Sequence, residues 1–311
     1  MSLTTSSKKA LLIGINYSAL SCKLHGCIND IVNMRSMLID AYAYAPANII
    51  MLRDDDPRNM PTRANLLSAL AYLASQSGSL SEIVIHYSGH GSQVRDVNGD
   101  EIDKLDEVVV PCDFPTAGFI TDDVLFGLLQ SFRCRTLLFF DSCNSGSVCD
   151  LQYTIQYVNG SFVRQTLSNK AIASNPNIIL MSGCKENQTS ADTYDAQKAQ
   201  ATGAFTAILI ESLRNGQHNM DLLRLYNDVC YSLFRYGFTQ VPTLSSSGYM
   251  PQYTFVRGGG NVADAKTWTL SSSAVKSIMS QPSHAQAIKK NMGSLGATFQ
   301  SPNAGRMRLL F

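Results

Sequence analysis

No stretch of this chain reaches the roughly 18 consecutive apolar residues that a membrane-crossing helix requires. Residues 2–7, followed by Lys8 and Lys9, also lack the apolar core of a secretory signal. The expectation is therefore a soluble protein of the cytoplasm, with the nucleus as a second compartment open to it. Strong charge of one sign is missing too: the net charge is +1, which gives no global attraction to nucleic acid or to a membrane surface. Glycines follow Ile15 and Tyr87, but neither loop forms Gly-x-Gly-x-x-Gly or a Gly-Lys-Ser/Thr phosphate cradle, and a nucleotide-binding reading is set aside. Eight cysteines are present, yet Cys22 and Cys27 around His25 lack the second clustered pair of a zinc site. The spacing of an EF-hand is absent as well.

What is there is a chain of 311 residues, 45% hydrophobic and 16% charged, long enough to bury a full core. Short apolar runs at 9–15, 48–53, 82–87, 137–140 and 177–181 have the character of strands buried on both faces of a parallel sheet. Helical spacing separates them: Ile28, Ile31, Met34 and Leu38 share one face, and a helix capped by Thr62 carries Leu66, Leu70 and Leu73. Asp122 begins another, and two amphipathic helices are expected at 204–214 and 221–236. Asn98-Gly99 marks a hairpin tip, and a last short strand is expected at 252–256. This alternation predicts an α/β fold with a mainly parallel central sheet. Periodicity fades between 150 and 177, which reads as an exposed linker, and the tail from Gly258 to Phe311 is rich in Ser, Gly and Ala.

Two strand ends carry the chemistry. The run at 137–140 stops at Asp141, and Ser142, Cys143, Asn144, Ser145 and Gly146 then suit a tight turn beyond the carboxyl end of a central strand, where open α/β sheets bind ligands. The run at 82–87 passes directly into Ser88-Gly89-His90-Gly91. A thiol with a free pKa of about 8.5 needs a base beside it to act near neutrality, so Cys143 and His90 form a candidate nucleophile and general acid/base. Gly91 permits close approach, and the N–H groups of Gly91 and Cys143 are the candidate oxyanion donors. His86 lies inside the strand and is read as structural.

These residues sit in blocks that resemble the metacaspases, caspase-like cysteine peptidases. The blocks are His-Tyr-Ser-Gly-His-Gly at 86–91 and Asp-Ser-Cys-Asn-Ser-Gly-Ser at 141–147, with Gly-Cys-Ile-Asn-Asp at 26–30, Ile-Thr-Asp-Asp at 120–123 and Ser-Gly-Cys at 182–184 in support. The compact arrangement is similar to the type I members. The resemblance implies a caspase-like three-layer fold in one peptidase domain, 1–257. Within it lie a large-subunit-like part at about 8–150, the exposed linker at about 151–177, and a small-subunit-like part at about 178–257; the tail 258–311 lies outside the family pattern. Asn144 departs from the family, which commonly has His there.

The resemblance also implies a monomer that cleaves polypeptides after Arg or Lys. Asp30 and Asp141 are the candidate carboxylates of the P1 pocket, with Ser88 and Ser142 beside them; the plainer alternative for Asp30 is capping a helix end. By composition alone the acidic stretch 96–107 is a solvated surface. The family pattern instead selects Asp106, Asp122, Asp123 and Asp150 as ligands of an activating Ca²⁺, whose preference for oxygen donors they meet. Arg164, Lys170 and Lys185 match the expected specificity, so self-cleavage in the linker is a further expectation. The competing reading is a caspase-like scaffold acting without proteolysis in protein quality control, against which intact Cys143 and His90 weigh.

Overall fold

Apolar runs with no polar break fill the middle of one sheet in the computed structural model. It describes residues 7–97, 104–143, 145, 148–158, 161–167, 170–172, 174–183, 192–195, 200–238 and 240–259. In chain order the strands are β1 (Lys8–Gly14), β2 (Ile49–Arg53), β3 (Glu82–Ser88), β4 (Gly91–Arg95), β5 (Leu105–Val109), β6 (Ile120–Thr121), β7 (Arg135–Asp141), β8 (Tyr153–Val158) and β9 (Ser161–Thr166). They continue with β10 (Ile178–Ser182), β11 (Asp192–Asp195), β12 (Gln200–Gly203), β13 (Met220–Asp221), β14 (Thr243–Ser246) and β15 (Thr254–Phe255). The helices are α1 (Cys27–Asp40), α2 (Arg63–Gln76), α3 (Phe114–Ala117), α4 (Asp122–Leu129), α5 (Ala204–Asn215) and α6 (Leu222–Arg235).

The main sheet has eight strands in the order β2-β1-β3-β7-β10-β14-β8-β9. From β2 to β10 every pairing is parallel; β14, β8 and β9 then alternate in direction. Alternation along each parallel strand divides the core in two. Leu12, Val84, Leu137 and Phe139 face α1, α5 and α6, while Leu11, Ile85, Leu138 and Phe140 face α2 and α4. The result is the three-layer α/β arrangement expected. Phe139 and Phe140, each 4% exposed, anchor opposite faces from adjacent positions, and burying such a ring contributes about 1.5–3 kcal/mol. Among the described residues no helix is long and apolar enough to cross a membrane.

The stretch expected to be an exposed linker carries the β8–β9 hairpin, paired antiparallel from Tyr153↔Thr166 to Val158↔Ser161. Leu151, Ile155 and Ile172 are buried, so this segment belongs to the body. Its polarity misleads because an edge hairpin needs only one apolar face. β14 is harder still: Thr-Leu-Ser-Ser offers one apolar side chain, yet it lies between β10 and β8 with Ser245 and Ser246 buried. The strand expected at 252–256 contributes only β15, which pairs with β13 and not with the main sheet. β4 and β5 form the expected hairpin ladder, while its Asn98-Gly99 tip and the tail from Gly260 onward lie outside the described residues.

Candidate active site

β3 and β7 are neighbours in register, with Ser88 opposite Asp141. Two residues further along the chain from each come His90 and Cys143, so both strands deliver their candidate catalytic residues to the same end of the sheet. The Gly89 N–H donates to the Asp141 carbonyl at 3.3 Å, and the Ser145 hydroxyl donates to the Ser142 carbonyl at 2.9 Å, closing the turn around the cysteine. Cys143 itself is partly exposed, while Ser142 and Ser145 are buried. Gly91 holds the two loops together by having no side chain: a Cβ there would lie 1.9 Å from the Cys143 carbonyl oxygen.

The His90 ring is fixed from behind. Its Nε2 lies 2.7 Å from the Cys22 carbonyl oxygen, in the loop between β1 and α1. A carbonyl can only accept, so the proton of the neutral imidazole sits on Nε2 and the basic lone pair on Nδ1. Tyr17 packs against the ring, tilted by 35° with centroids 4.6 Å apart. Neither Cys22 nor Tyr17 was identified from the sequence; the first acts through a carbonyl that every residue possesses. His86 is fully buried, donates from Nδ1 to the Phe139 carbonyl at 3.0 Å, and is kept neutral by burial, which lowers its pKa to about 4.

Asp30 and Asp141, far apart in sequence, converge on the start of α5. A Cβ on Gly203 would lie 2.1 Å from Asp141 Oδ2 and 2.8 Å from Asp30 Oδ2. Asp30 accepts from the Gly203 N–H at 3.0 and 3.1 Å and from the Ser88 hydroxyl at 2.7 Å. Asp141 Oδ2 accepts from the Thr206 N–H at 2.9 Å and its hydroxyl at 2.8 Å. Gly203 is the N-cap of α5 and brings no side chain to that task. The two carboxylates supply it from across the fold, and the positive end of the helix favours their charge. Ser142, next to Asp141 and just past the end of β7, is buried. The capping alternative for Asp30 is thus realised, though on α5 and not on its own helix. Gly203 and Thr206 were missed; a Thr-Gly-Ala sequence opening an amphipathic helix was the available signal.

A second acidic centre lies at the amino end of α4. Carboxylate oxygens of Asp106, Asp122 and Asp123 all lie within 4.8 Å of one another. Asp122 accepts from the Glu107 and Asp123 N–H groups, each at 2.8 Å. Burial, and then the Asp150 charge, push its pKa up to about 8. Asp150 joins through Lys170, whose ammonium lies 2.7 Å from Asp150 Oδ2 and 2.9 Å from Asp123 Oδ1. An all-oxygen donor set that already attracts a cation fits Ca²⁺ in kind. Among the described residues this is where three potential ligands cluster; Cys22, His25 and Cys27 do not form such a group. Arg164 lies in β9 with its guanidinium 4.7 and 3.8 Å from the rings of Tyr153 and Tyr249, whereas Lys185 is outside the described residues.

A family model described as "Metacaspase, peptidase C14 domain" matches residues 8–152, the span that holds both His90 and Cys143. Metacaspase-1 of Cryptococcus neoformans is 35% identical over 296 residues, covering 78% of this chain and 63% of the relative. Metacaspase-1 of Kluyveromyces lactis is 36% identical, covering 78% and 66%, and Metacaspase-1B of Aspergillus oryzae 33%, covering 79% and 69%. The chain thus spans about two thirds of the length of these relatives. Among solved structures, a Geobacter sulfurreducens protein superposes with a TM-score of 0.54 at 25% identity, over 78% of this chain and 94% of that one. Caspase-1 from Spodoptera frugiperda superposes with a TM-score of 0.51 at 13% identity, over 79% and 88%, a likeness of fold alone. With such identity to several relatives and the caspase-like sheet beneath it, this chain belongs to the metacaspases, a family of caspase-like cysteine peptidases.

Proposed function

We propose that this chain is a calcium-stimulated endopeptidase that cleaves polypeptides after Arg or Lys. The observation that carries this reading is the pairing of β3 with β7, which brings His90 and Cys143 out at one end of the sheet with Gly91 against the Cys143 carbonyl. The Cys143 thiol gives its proton to Nδ1 of His90, and the thiolate attacks the scissile carbonyl carbon. The N–H groups of Cys143 and Gly91 receive the oxyanion. As the C–N bond breaks, His90 returns the proton to the leaving amine, and a thioester remains on Cys143. Water, deprotonated by His90, then hydrolyses the thioester, releasing the acid and restoring the thiol.

Asp30 and Asp141, with Ser88 and Ser142 beside them, supply the negative charge that selects a basic P1 side chain. Asp106, Asp122, Asp123 and Asp150 would hold the calcium. When bound, it supplies charge that binds together β5, the start of α4 and the segment following Cys143. The test is initial rates on fluorogenic peptides with Arg, Lys or Asp at P1 across a calcium titration, with Cys143→Ala as the blank. Cleavage after Arg and Lys that rises with calcium and is lost in the blank is the expected result. Preference for Asp, or rates indifferent to calcium and chelator, would overturn the corresponding part. No cleavage under any condition would favour the scaffold reading.

A further inference from the structure

We infer that Tyr17 and Tyr87 are positioning residues for His90, holding its backbone from both sides so that the ring stays aligned for proton transfer. The His90 N–H donates to the Tyr17 hydroxyl at 3.0 Å, and the Tyr87 hydroxyl donates to the His90 carbonyl at 2.6 Å. Tyr17 sends its own proton to the Val110 carbonyl at 2.6 Å. Each phenol has one hydrogen, so these bonds use both; the two oxygens lie 3.2 Å apart, and the Tyr87 oxygen also lies 3.3 Å from the Val110 carbonyl oxygen. Both rings are fully enclosed, 2% and 1% exposed, and burial raises both phenols above their ordinary pKa, so they remain donors at working pH. Tyr17 also sits at φ 52°, in a region bulky side chains avoid. Such backbone strain gathers at functional sites, where the surroundings hold it in place.

This inference rests on His90 being the general acid/base, and the two separate cleanly. If His90→Ala keeps full activity, the assignment of His90 fails and the clamp with it. Given an active-site His90, Tyr17→Phe and Tyr87→Phe are each expected to lower kcat about three- to tenfold, the worth of one buried hydrogen bond, with KM unchanged. The pH profile of Cys143 alkylation by iodoacetamide should shift in the same variants, a readout that needs no substrate. If Tyr17→Phe does not fold, Tyr87→Phe alone carries the test. Wild-type kcat and an unmoved alkylation profile, whatever happens to the melting temperature, would show that the tyrosines serve only the core.

A separate contact assigns a role to Lys170, and we propose that it is the internal counter-ion of the acidic centre, evicted when a divalent cation binds. Its ammonium bridges Asp123 and Asp150 with charge-assisted bonds, and its side chain is 23% exposed. Asp150 is held at φ 46°, which turns its carboxylate segment sharply just after the Cys143 loop. A cation taking these oxygens must first release Lys170, so its measured affinity is lowered by the ion pairs it breaks. In the 311-residue Cys143→Ala chain, CaCl₂ should accelerate acetylation of Lys170 by an N-hydroxysuccinimide ester, read by mass spectrometry. Lys170→Met in the same background should bind CaCl₂ about tenfold more tightly by calorimetry. Equal affinity with unchanged acetylation would overturn the eviction while leaving the calcium site standing; no binding by either protein would overturn both.

Discussion

Cys143→Ala is expected to leave no measurable hydrolysis of a peptide with Arg at P1, and His90→Ala to lower kcat by about 10²- to 10⁴-fold, the usual worth of a general acid/base. The two should not add. Without the thiol the imidazole has no proton to take, so the double variant should be no slower than Cys143→Ala alone. Neither side chain lies in the hydrophobic core, and both variants should keep the wild-type melting temperature. Gly91→Ala approaches the same end by another route. Its Cβ would lie 1.9 Å from a backbone oxygen that no rotamer can clear, so one of the two loops must move. Displacing a reacting group by about 1 Å can cost on the order of a hundredfold, and kcat should fall by at least that much. Kinetics on all four variants, beside thermal melts, check the set. An active Cys143→Ala would end the nucleophile assignment outright.

The sequence made this pair visible because each member follows a short apolar run of the kind a buried strand shows. An apolar run such as Leu137 to Phe140 has a local cause and a local reading, and the break at Asp141 marks where the strand leaves the sheet. The partners of that pair were not visible for equally physical reasons. Cys22 contributes a carbonyl, which carries no signature of residue type. Gly203 is 173 residues from the Asp30 it donates to, and no periodicity spans such a distance. β14 escaped because a strand paired on both sides is held by its backbone, and the short serines of Thr-Leu-Ser-Ser fit where larger apolar side chains are not required. Lys170 was legible in the sequence as a basic residue of a polar stretch and a candidate for self-cleavage, not as a counter-ion. Its use as the cation between Asp123 and Asp150 depends on a hairpin, β8–β9, whose polar face had hidden it.

Asp141→Asn separates two duties that one carboxylate performs. Asparagine keeps an oxygen able to accept from the Thr206 N–H and hydroxyl, so the α5 cap survives, but it removes the charge. If that charge recognises a basic P1 side chain, kcat/KM for the Arg peptide should fall by about 2–5 kcal/mol, the cost of deleting one partner of a buried charge pair. That is roughly thirty- to four-thousandfold, with little change for a neutral P1 residue. Asp141→Ala should lose the same discrimination and also uncap the helix, at about 0.5–2 kcal/mol of stability, lowering the melting temperature by a few degrees for a domain of this size. Gly203→Ala should disturb both at once, because its Cβ would lie within 3 Å of both carboxylates. The decisive quantity is the ratio of Arg to neutral-residue cleavage, measured beside the melt. A ratio unchanged in Asp141→Asn would mean that Asp141 serves the helix alone and that basic specificity arises elsewhere. A ratio that collapses while the melt holds would separate recognition from capping in a single substitution, because only the charge differs.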